Sequence, residues 1–443
     1  MLDSNDIAAY LKNSPTSYHA AEAAELLARE GGAIGLDPGE SWNLERGGLY
    51  FLRNQGMLTL FRVGQGDPVE TGFSLAAAHT DSPGLKLKWG AGTFKEPYFR
   101  VPVELYGGPI ISSWMDRELS CAGLVSGIDK NGGFCSRLLQ SSGPVGIIPN
   151  LAIHLNREVN KGYHYNEQEE LQVLFPGIES WEALLKACDY SDAWKSLQGD
   201  LFLFDPAPPA LLGDYLISGR IDNLASCYAG LSALLEAPPG DVTSLLFLAD
   251  GEEIGSRMEA GADSALLSGI LRRIFSLIYG ADRGEGNYSC PEEPFQRALS
   301  RSFLISADGA HAVHPNFRSK HDGDFSPLPG KGPVIKKSAS FRYTTRADGA
   351  VRVSALAEKA GVPLQTLIGR SDMKSGSTVG PLLSSNIPVA AVDMGVPMLS
   401  MHSIRESCMS SDLLHLSRIL KEHFMTPPHL APSHSTMSTR EER

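Results

Sequence analysis

Cysteine is sparse in this chain: six residues (Cys121, Cys135, Cys188, Cys227, Cys290 and Cys408) among 443, scattered and without a Cys-x-x-Cys pair. That distribution argues against a disulfide framework or a zinc–thiolate cluster and fits reduced, buried thiols. Positive charge is also in deficit. Lys and Arg number 39 against 51 Asp and Glu, a formal net charge of −12. Nucleic acid and anionic membrane both reward a basic surface, so neither is expected as a partner. No uninterrupted apolar run approaches the roughly 20 residues that span a bilayer. The first thirty residues carry early acids instead of the apolar stretch of a secretory signal. A cytoplasmic location is expected. What remains is ordinary globular composition, 42% hydrophobic and 20% charged, in a chain long enough for two domains with separate cores.

Ala20, Ala23, Ala24, Leu27 and Ala28 recur at helical spacing and predict an amphipathic helix over 18–30. Apolar runs at 73–78 (FSLAAA), 244–249 (SLLFLA), 303–307 (FLISA) and 388–392 (PVAAV) read as buried strands, with helix-like segments at 224–236 and 351–361. Buried strands alternating with helices predict an α/β fold, an α/β/α domain on a central, largely parallel mixed sheet. Residues 87–210 differ, being rich in Gly and Pro with short β-like pieces such as YFRVPVELYGG and GPVGIIP. They are expected to form a β-rich domain inserted into the first, which then comprises 1–86 and 211–425. The Pro-, Ser- and Thr-rich stretch 426–443 is expected to be a flexible tail.

Polar residues of one chemical type follow the apolar runs. FSLAAA leads to His79-Thr-Asp81, SLLFLA to Asp250-Gly-Glu252-Glu253, FLISA to Asp308-Gly-Ala-His311, and PVAAV to Asp393 and then His402. Asp222, in SGRIDN, opens a helix-like run. Ligands of open α/β sheets bind beyond the carboxyl ends of the strands, so these groups can converge on one rim. Taken singly, each motif has a plainer explanation: a capping His-x-Asp, a solvated Glu-Glu face, an Asp at a helix N-cap. Their recurrence at successive strand ends favours a metal site. His, Asp and Glu without Cys suit zinc, manganese or cobalt. Clustered carboxylates repel unless dications relieve them, and two ions about 3.5–4 Å apart need a shared carboxylate. His79 would ligate while Asp81 orients the ring or its neighbours. Of the Glu252–Glu253 pair, one can ligate while the other takes a proton from the attacking water.

Longer stretches carry a resemblance: AAHTDSPGLKLK (77–88), SGRIDNLAS (218–226), GEEIGS (251–256), SADGAHAVHPNF (306–317), GPVIK (332–336), GSTVGP (376–381) and MHSIRE (401–406). Together they are similar to the M18 metalloaminopeptidases, the family of aspartyl aminopeptidase, up to about residue 424. The resemblance implies a catalytic α/β domain interrupted by a β-rich dimerisation domain, with assembly into tetrahedral dodecamers. It implies two zinc ions per subunit (manganese or cobalt being alternatives), with Asp222 bridging, His79 and Asp308 completing one site, and Glu253 and His402 the other. Glu252 becomes the general base, Asp81 supports His79, and Asn223 follows a cis peptide bond.

The same resemblance suggests peptides with an N-terminal Asp or Glu as substrates, Lys336 as the cation that reads them, and His311 beside it. From the residues alone Lys336 reads as an exposed strand lysine. His154 matches a residue lent to a neighbouring subunit's active site; its plainer reading is a half-buried structural His. His314, His164 and His19 are read as structural. Gly309 stands where relatives commonly have Met, and Met373-Lys374-Ser375 replaces a different run, so pocket shape is where departures concentrate. The expected activity is a dinuclear zinc aminopeptidase for acidic N-termini. Its rivals are a broad or neutral-residue aminopeptidase of the same fold and a non-catalytic self-assembling shell, the latter disfavoured because every ligand position is filled.

Overall fold

The computed structural model describes residues 4–95, 97–281 and 291–428. Cys290 and residues 429–443 of the expected tail lie outside the described residues. Among those described, the main sheet has nine strands in the order Ile34–Gly35, Leu49–Asn54, Met57–Arg62, Thr243–Ala249, Phe73–His79, Phe303–Ala307, Ala390–Gly395, Val334–Lys337 and Gln365–Ile368. The four central strands, from Thr243–Ala249 to Ala390–Gly395, are mutually parallel, while Met57–Arg62 and Val334–Lys337 flank them antiparallel. The mixed, centrally parallel sheet expected from the apolar runs is present.

Alternate residues of a strand point to opposite faces, and here both faces are dry. Ala76, Ala78, Leu246, Leu248 and Ile305 pack under helices Ile221–Glu236, Ala347–Ala360 and Ser410–Met425. Leu75, Ala77, Leu245, Phe247 and Leu304 pack under Leu266–Ala281, Glu292–Ser300 and Val379–Asn386. This double burial explains why the strands read as continuous apolar runs and not as alternating ones. Helix Leu266–Ala281 shows the matching 3.6-residue period: Leu267, Ile270, Leu271, Ile274 and Ile278 are buried. The N-terminal helix, Ser17–Glu30, is capped by Thr16, whose side chain accepts from the His19 N–H, and it buries Ala20, Ala24 and Ala28.

Several boundaries moved: the helix expected over 351–361 spans Ala347–Ala360, and two other shifts have plain physical reasons. The run at 388–392 gives a strand at Ala390–Gly395: Pro388 cannot donate to a ladder, and Asp393 stays inside the strand because Thr378 and Thr344 satisfy its carboxylate. Helix Ile221–Glu236 starts before the predicted 224, but Asp222 and Asn223 have non-helical torsions and a cis peptide bond joins them.

Gly84–Leu87, Tyr98–Tyr106, Ser120–Ile128, Phe134–Gln140, Gln172–Phe175 and Lys195–Phe204, with Thr93–Lys95 alongside, form a second, antiparallel sheet. Its core is separate, built from residues such as Leu85, Val101, Val125, Val173 and Leu201 with Leu184 from helix Trp181–Ala187. The sheet starts at Gly84, so a boundary between 86 and 87 cuts its first strand. A third sheet joins Ala210–Leu212, Tyr215–Ser218, Glu406–Met409, Pro397–Leu399 and Ala310–His311 at the rim of the first. Among the described residues, no helix is long and apolar enough to cross a membrane.

Candidate metal centre

The parallel strands Phe73–His79, Thr243–Ala249 and Phe303–Ala307 deliver His79, the Glu252–Glu253 turn and Asp308 to the same carboxyl edge. Asp222 arrives on the turn after Tyr215–Ser218, and His402 on the turn after Pro397–Leu399. His79 Nε2 lies 3.4 Å from Asp308 Oδ1 and 3.6 Å from Asp222 Oδ1. His402 Nε2 lies 3.8 Å from Asp222 Oδ2 and 3.6 Å from Glu253 Oε2. These gaps are too long for hydrogen bonds. They are the spacing of ligands: four donors about 2.1 Å from a tetrahedral centre sit about 3.4 Å apart. The donor atoms of the triads His79–Asp222–Asp308 and Asp222–Glu253–His402 lie within 4.8 Å of one another, as do those of His79, Glu252 and Glu253. Asp222 Oδ1 is buried with no hydrogen-bond partner, which costs free energy unless a cation takes it. The residues fit a divalent ion in each triad.

Both histidines are held by the ring nitrogen that faces away from the cluster. His402 Nδ1 is 3.0 Å from the Gly108 carbonyl, and His79 Nδ1 is 3.1 Å from the Asp81 carbonyl. A proton shared with a carbonyl must sit on Nδ1, which leaves Nε2 as the lone-pair donor. Asp81 therefore orients His79 through its carbonyl, and its carboxylate Oδ1 lies 3.4 Å from the same nitrogen. Its carboxylate accepts from the Glu252 and Glu253 N–H groups, each at 3.0 Å, and from the Tyr106 hydroxyl. Asp81 thus holds the turn that carries both glutamates. Asp222 does not cap its helix; Ser82 Oγ donates to its carbonyl, and Asn223 Nδ2 donates to the Ala307 carbonyl. Gly107 has φ +66° and a side chain there would meet Glu253, so close passage of the Tyr106–Gly108 segment depends on glycine.

The electrostatics match a cation site. Burial, then the charge of Asp308, raises the Asp222 carboxyl well above the carboxylate range. Burial and the charge of Asp222 push Glu253 up to about 10. Burial pushes Glu252 up to about 7, with Asp308 and Asp81 adding to it and His79 and Lys336 opposing. Burial alone would lower His79, yet the Asp308 and Asp81 carboxylates raise it. Burial alone would raise Asp308; the Lys336 ammonium, 3.1 Å away, overrides it and holds the carboxyl well below its usual range. Carboxylates that want a proton are carboxylates that a dication would take instead.

Lys336 is only 2% exposed, so the reading of it as a surface lysine fails. Its ammonium donates to Asp308 Oδ2 and to the Gly309 carbonyl, and lies 5.1 Å from the Tyr343 ring centroid. The pairing leaves Asp308 Oδ1 facing His79. Lys336 and His311 both line a cleft of 840 Å³ that contains the two triads, with Arg370 and Lys374 on its outer wall. A side chain at Gly309 would crowd Met398 and Met401, which occupy that space here, and Met373 is an exposed part of the wall. His314 also lines the cleft and accepts from the Asn316 N–H through its ring. His154 is not brought to the centre: it sits on an exposed turn beside the second sheet and does not line the cleft.

Three participants were missed from sequence. Tyr106, at the end of a strand of the second sheet, and Gly108, just after it, were invisible because no spacing rule links them to Asp81 and His402, 25 and 294 residues away. Glu406 stood in the quoted MHSIRE stretch without a role; its carboxylate accepts from the Asp222 and His402 N–H groups.

A His/carboxylate cluster at the carboxyl edge of a parallel sheet, with Glu252 beside it, is the arrangement of a metal-dependent enzyme. The chain belongs to the aminopeptidase I zinc metalloprotease family (M18), which it matches over residues 10–424. It is 41% identical over 426 residues to the probable M18 family aminopeptidase 2 of Stutzerimonas stutzeri (strain A1501), covering 93% of this chain and 95% of the relative. The cryo-electron-microscopy structure of the Ape4 and Nbr1 complex superposes with a TM-score of 0.87 at 31% identity, covering 95% of this chain and 85% of that one. The S. cerevisiae mApe1 dodecamer gives a TM-score of 0.79 at 23% identity, covering 95% of each, a likeness of fold. The protein is thus a metalloaminopeptidase, a hydrolase of a zinc-dependent family.

Proposed function

We propose that the protein is a dinuclear zinc aminopeptidase that removes N-terminal Asp or Glu from peptides. The observation that carries this reading is Asp222, whose two oxygens face different histidines, Oδ1 at His79 and Oδ2 at His402. His79, Asp222 and Asp308 would hold one ion, and Asp222, Glu253 and His402 the other; manganese or cobalt would also suit these donors. When bound, the ions supply Lewis acidity toward the scissile carbonyl and the attacking water and a seat for the free α-amino group. Glu252, outside both triads, accepts the water proton and returns it to the leaving amine. Asp81 keeps Glu252 in place through its N–H, and Tyr106 holds Asp81.

An ammonium has three donors, and Lys336 uses two on Asp308 and Gly309. The third is available for an acidic side chain in the cleft, beside His311. One observation supports the neutral-residue alternative: Asp308 already offsets part of the lysine's charge. The measurement that tests the proposal is a reconstituted enzyme assayed for bound metal and for kcat/KM on Asp-, Glu- and Leu-terminal peptides. Two ions per chain and a preference for the acidic pair are expected. A single ion overturns the dinuclear centre, and a preference for Leu overturns the specificity.

The wider organisation is proposed on the same footing. Residues 1–86 with 211–425 form the catalytic domain and 87–210 the dimerisation domain, in a cytoplasmic homo-oligomer. The separate core of the second sheet and the dodecameric assembly of the S. cerevisiae structure support this. His154, exposed and away from its own cleft, would act in a neighbouring subunit's site. Solution mass measured for the native protein tests the assembly: twelve chains are expected, and a monomer would overturn it.

A further inference from the structure

We infer that Glu406 is a positioning residue that straps together the two turns carrying Asp222 and His402, and so sets affinity for the ion those two residues share with Glu253. The inference rests on the dinuclear reading above. Glu406 is buried on strand Glu406–Met409, which pairs with Tyr215–Ser218 so that Glu406 lies opposite Ser218, just ahead of the Asp222 turn. One carboxylate oxygen accepts from the Asp222 N–H at 3.0 Å, and the other accepts from the His402 N–H at 2.8 Å. The Ile221 N–H is also directed at this carboxylate.

Both turns need such a tie. Arg220, just before Ile221, has φ +62°, and His402 has φ +69°, left-handed conformations that non-glycine residues hold only when the surroundings over-determine them. A single carboxylate with an oxygen for each turn fixes their separation, and with it the distance between Asp222 Oδ2 and His402 Nε2. With both oxygens committed to main-chain donors, Glu406 is not itself placed as a ligand. It holds two of the three ligands of the Asp222–Glu253–His402 triad but only one of the His79–Asp222–Asp308 triad. Its loss must fall unequally on the two ions, whereas a residue that merely stabilises the fold would affect both alike.

The test is zinc titration of full-length wild-type, Glu406→Gln and Glu406→Asp proteins against a chelator of known affinity, reading stoichiometry and both dissociation constants without reference to turnover. Gln keeps the length but presents an N–H₂ to one of the amides. Asp keeps the charge but cannot span both. Each is expected to weaken one ion about 10- to 100-fold, the usual effect of losing a group that orients ligands, while the other ion changes by less than about a tenth of that. Wild-type affinity for both ions in Glu406→Gln overturns the inference, as does equal weakening of both in the two variants or failure of both to hold any zinc. A wild-type chain that binds fewer than two ions overturns the dinuclear reading and the strap together, and is told apart because the failure appears before any substitution.

Discussion

Replacing Glu252 by glutamine removes the proposed proton acceptor while leaving the frame of the centre in place. The turn is held through the Glu252 N–H on Asp81 Oδ1, which glutamine retains, and Glu252 belongs to neither ligand triad. Burial lifts its carboxyl to about 7, close to where a base is both available and able to pull a proton at neutral pH. General-base catalysis contributes about 10²–10⁴-fold, which at about 1.36 kcal/mol per decade is a barrier increase of about 2.7–5.5 kcal/mol. The assay is steady-state hydrolysis of an Asp-terminal peptide by Glu252→Gln, with metal content measured on the same sample. We expect kcat to fall by that factor, KM to move far less, and metal content to match wild type. In the wild type, activity should rise with pH as Glu252 loses its proton, and bound dications place that limb below pH 7; the variant should lack it. Turnover within tenfold of wild type with the same metal content would refute the assignment of Glu252 as the base.

Lys336→Met should lower kcat/KM on Asp- and Glu-terminal peptides by about tenfold or more, the worth of a charge-assisted hydrogen bond, beyond the loss on Leu-terminal ones that follows from unpairing Asp308. An equal loss on all three would place Lys336 in ordering Asp308 alone. Asp393→Asn should lower stability by about 1–3 kcal/mol, read as a shifted urea midpoint with unchanged slope, because Asp393 accepts from Thr378 Oγ1 and the Thr344 N–H in a buried position. No shift in midpoint would show that those bonds are replaced at no cost. Chelated protein should lose stability between pH 7 and 9. Glu253 is held up to about 10 by burial and the charge of Asp222, far above its unfolded value near 4.3, so the folded state binds the extra proton and is disfavoured as pH rises. Zinc should therefore raise the melting temperature more at pH 9 than at pH 7, and a pH-independent increment would contradict the raised carboxyls.

The strands that carry ligands were legible because double burial leaves an unbroken apolar run, and the residue after such a run lies at the sheet's rim whatever the details of packing. His79, Asp308 and the Glu252–Glu253 turn could be placed that way. Asp222 and His402 were harder, since they stand on turns of the small third sheet: the residues marked both as candidates, but their roles came only from the extended family resemblance. Lys336 could not be judged from the residues: on a strand beside Lys337, nothing local distinguishes the lysine that is buried on Asp308 from its exposed-looking neighbour. Asp81 was expected to orient His79 or its neighbours; which of its groups meets the ring and which the Glu252–Glu253 turn is set by backbone direction, which the sequence does not display. Tyr106, Gly108 and Glu406 act through tertiary contacts that carry no periodicity at all.

The spread of these residues along the chain bears on how the protein comes off the ribosome. Glu406 and His402 emerge after His79, Asp222, Glu253 and Asp308, and the strand that seats Glu406 is followed directly by helix Ser410–Met425, which covers the face of the sheet beneath. A nascent chain can assemble the second sheet and the His79–Asp222–Asp308 triad long before the partner triad is complete. On the proposed assignment, peptide-cleaving capacity would be withheld until the segment carrying His402 and Glu406 had been made, so a chain truncated ahead of it would be inert.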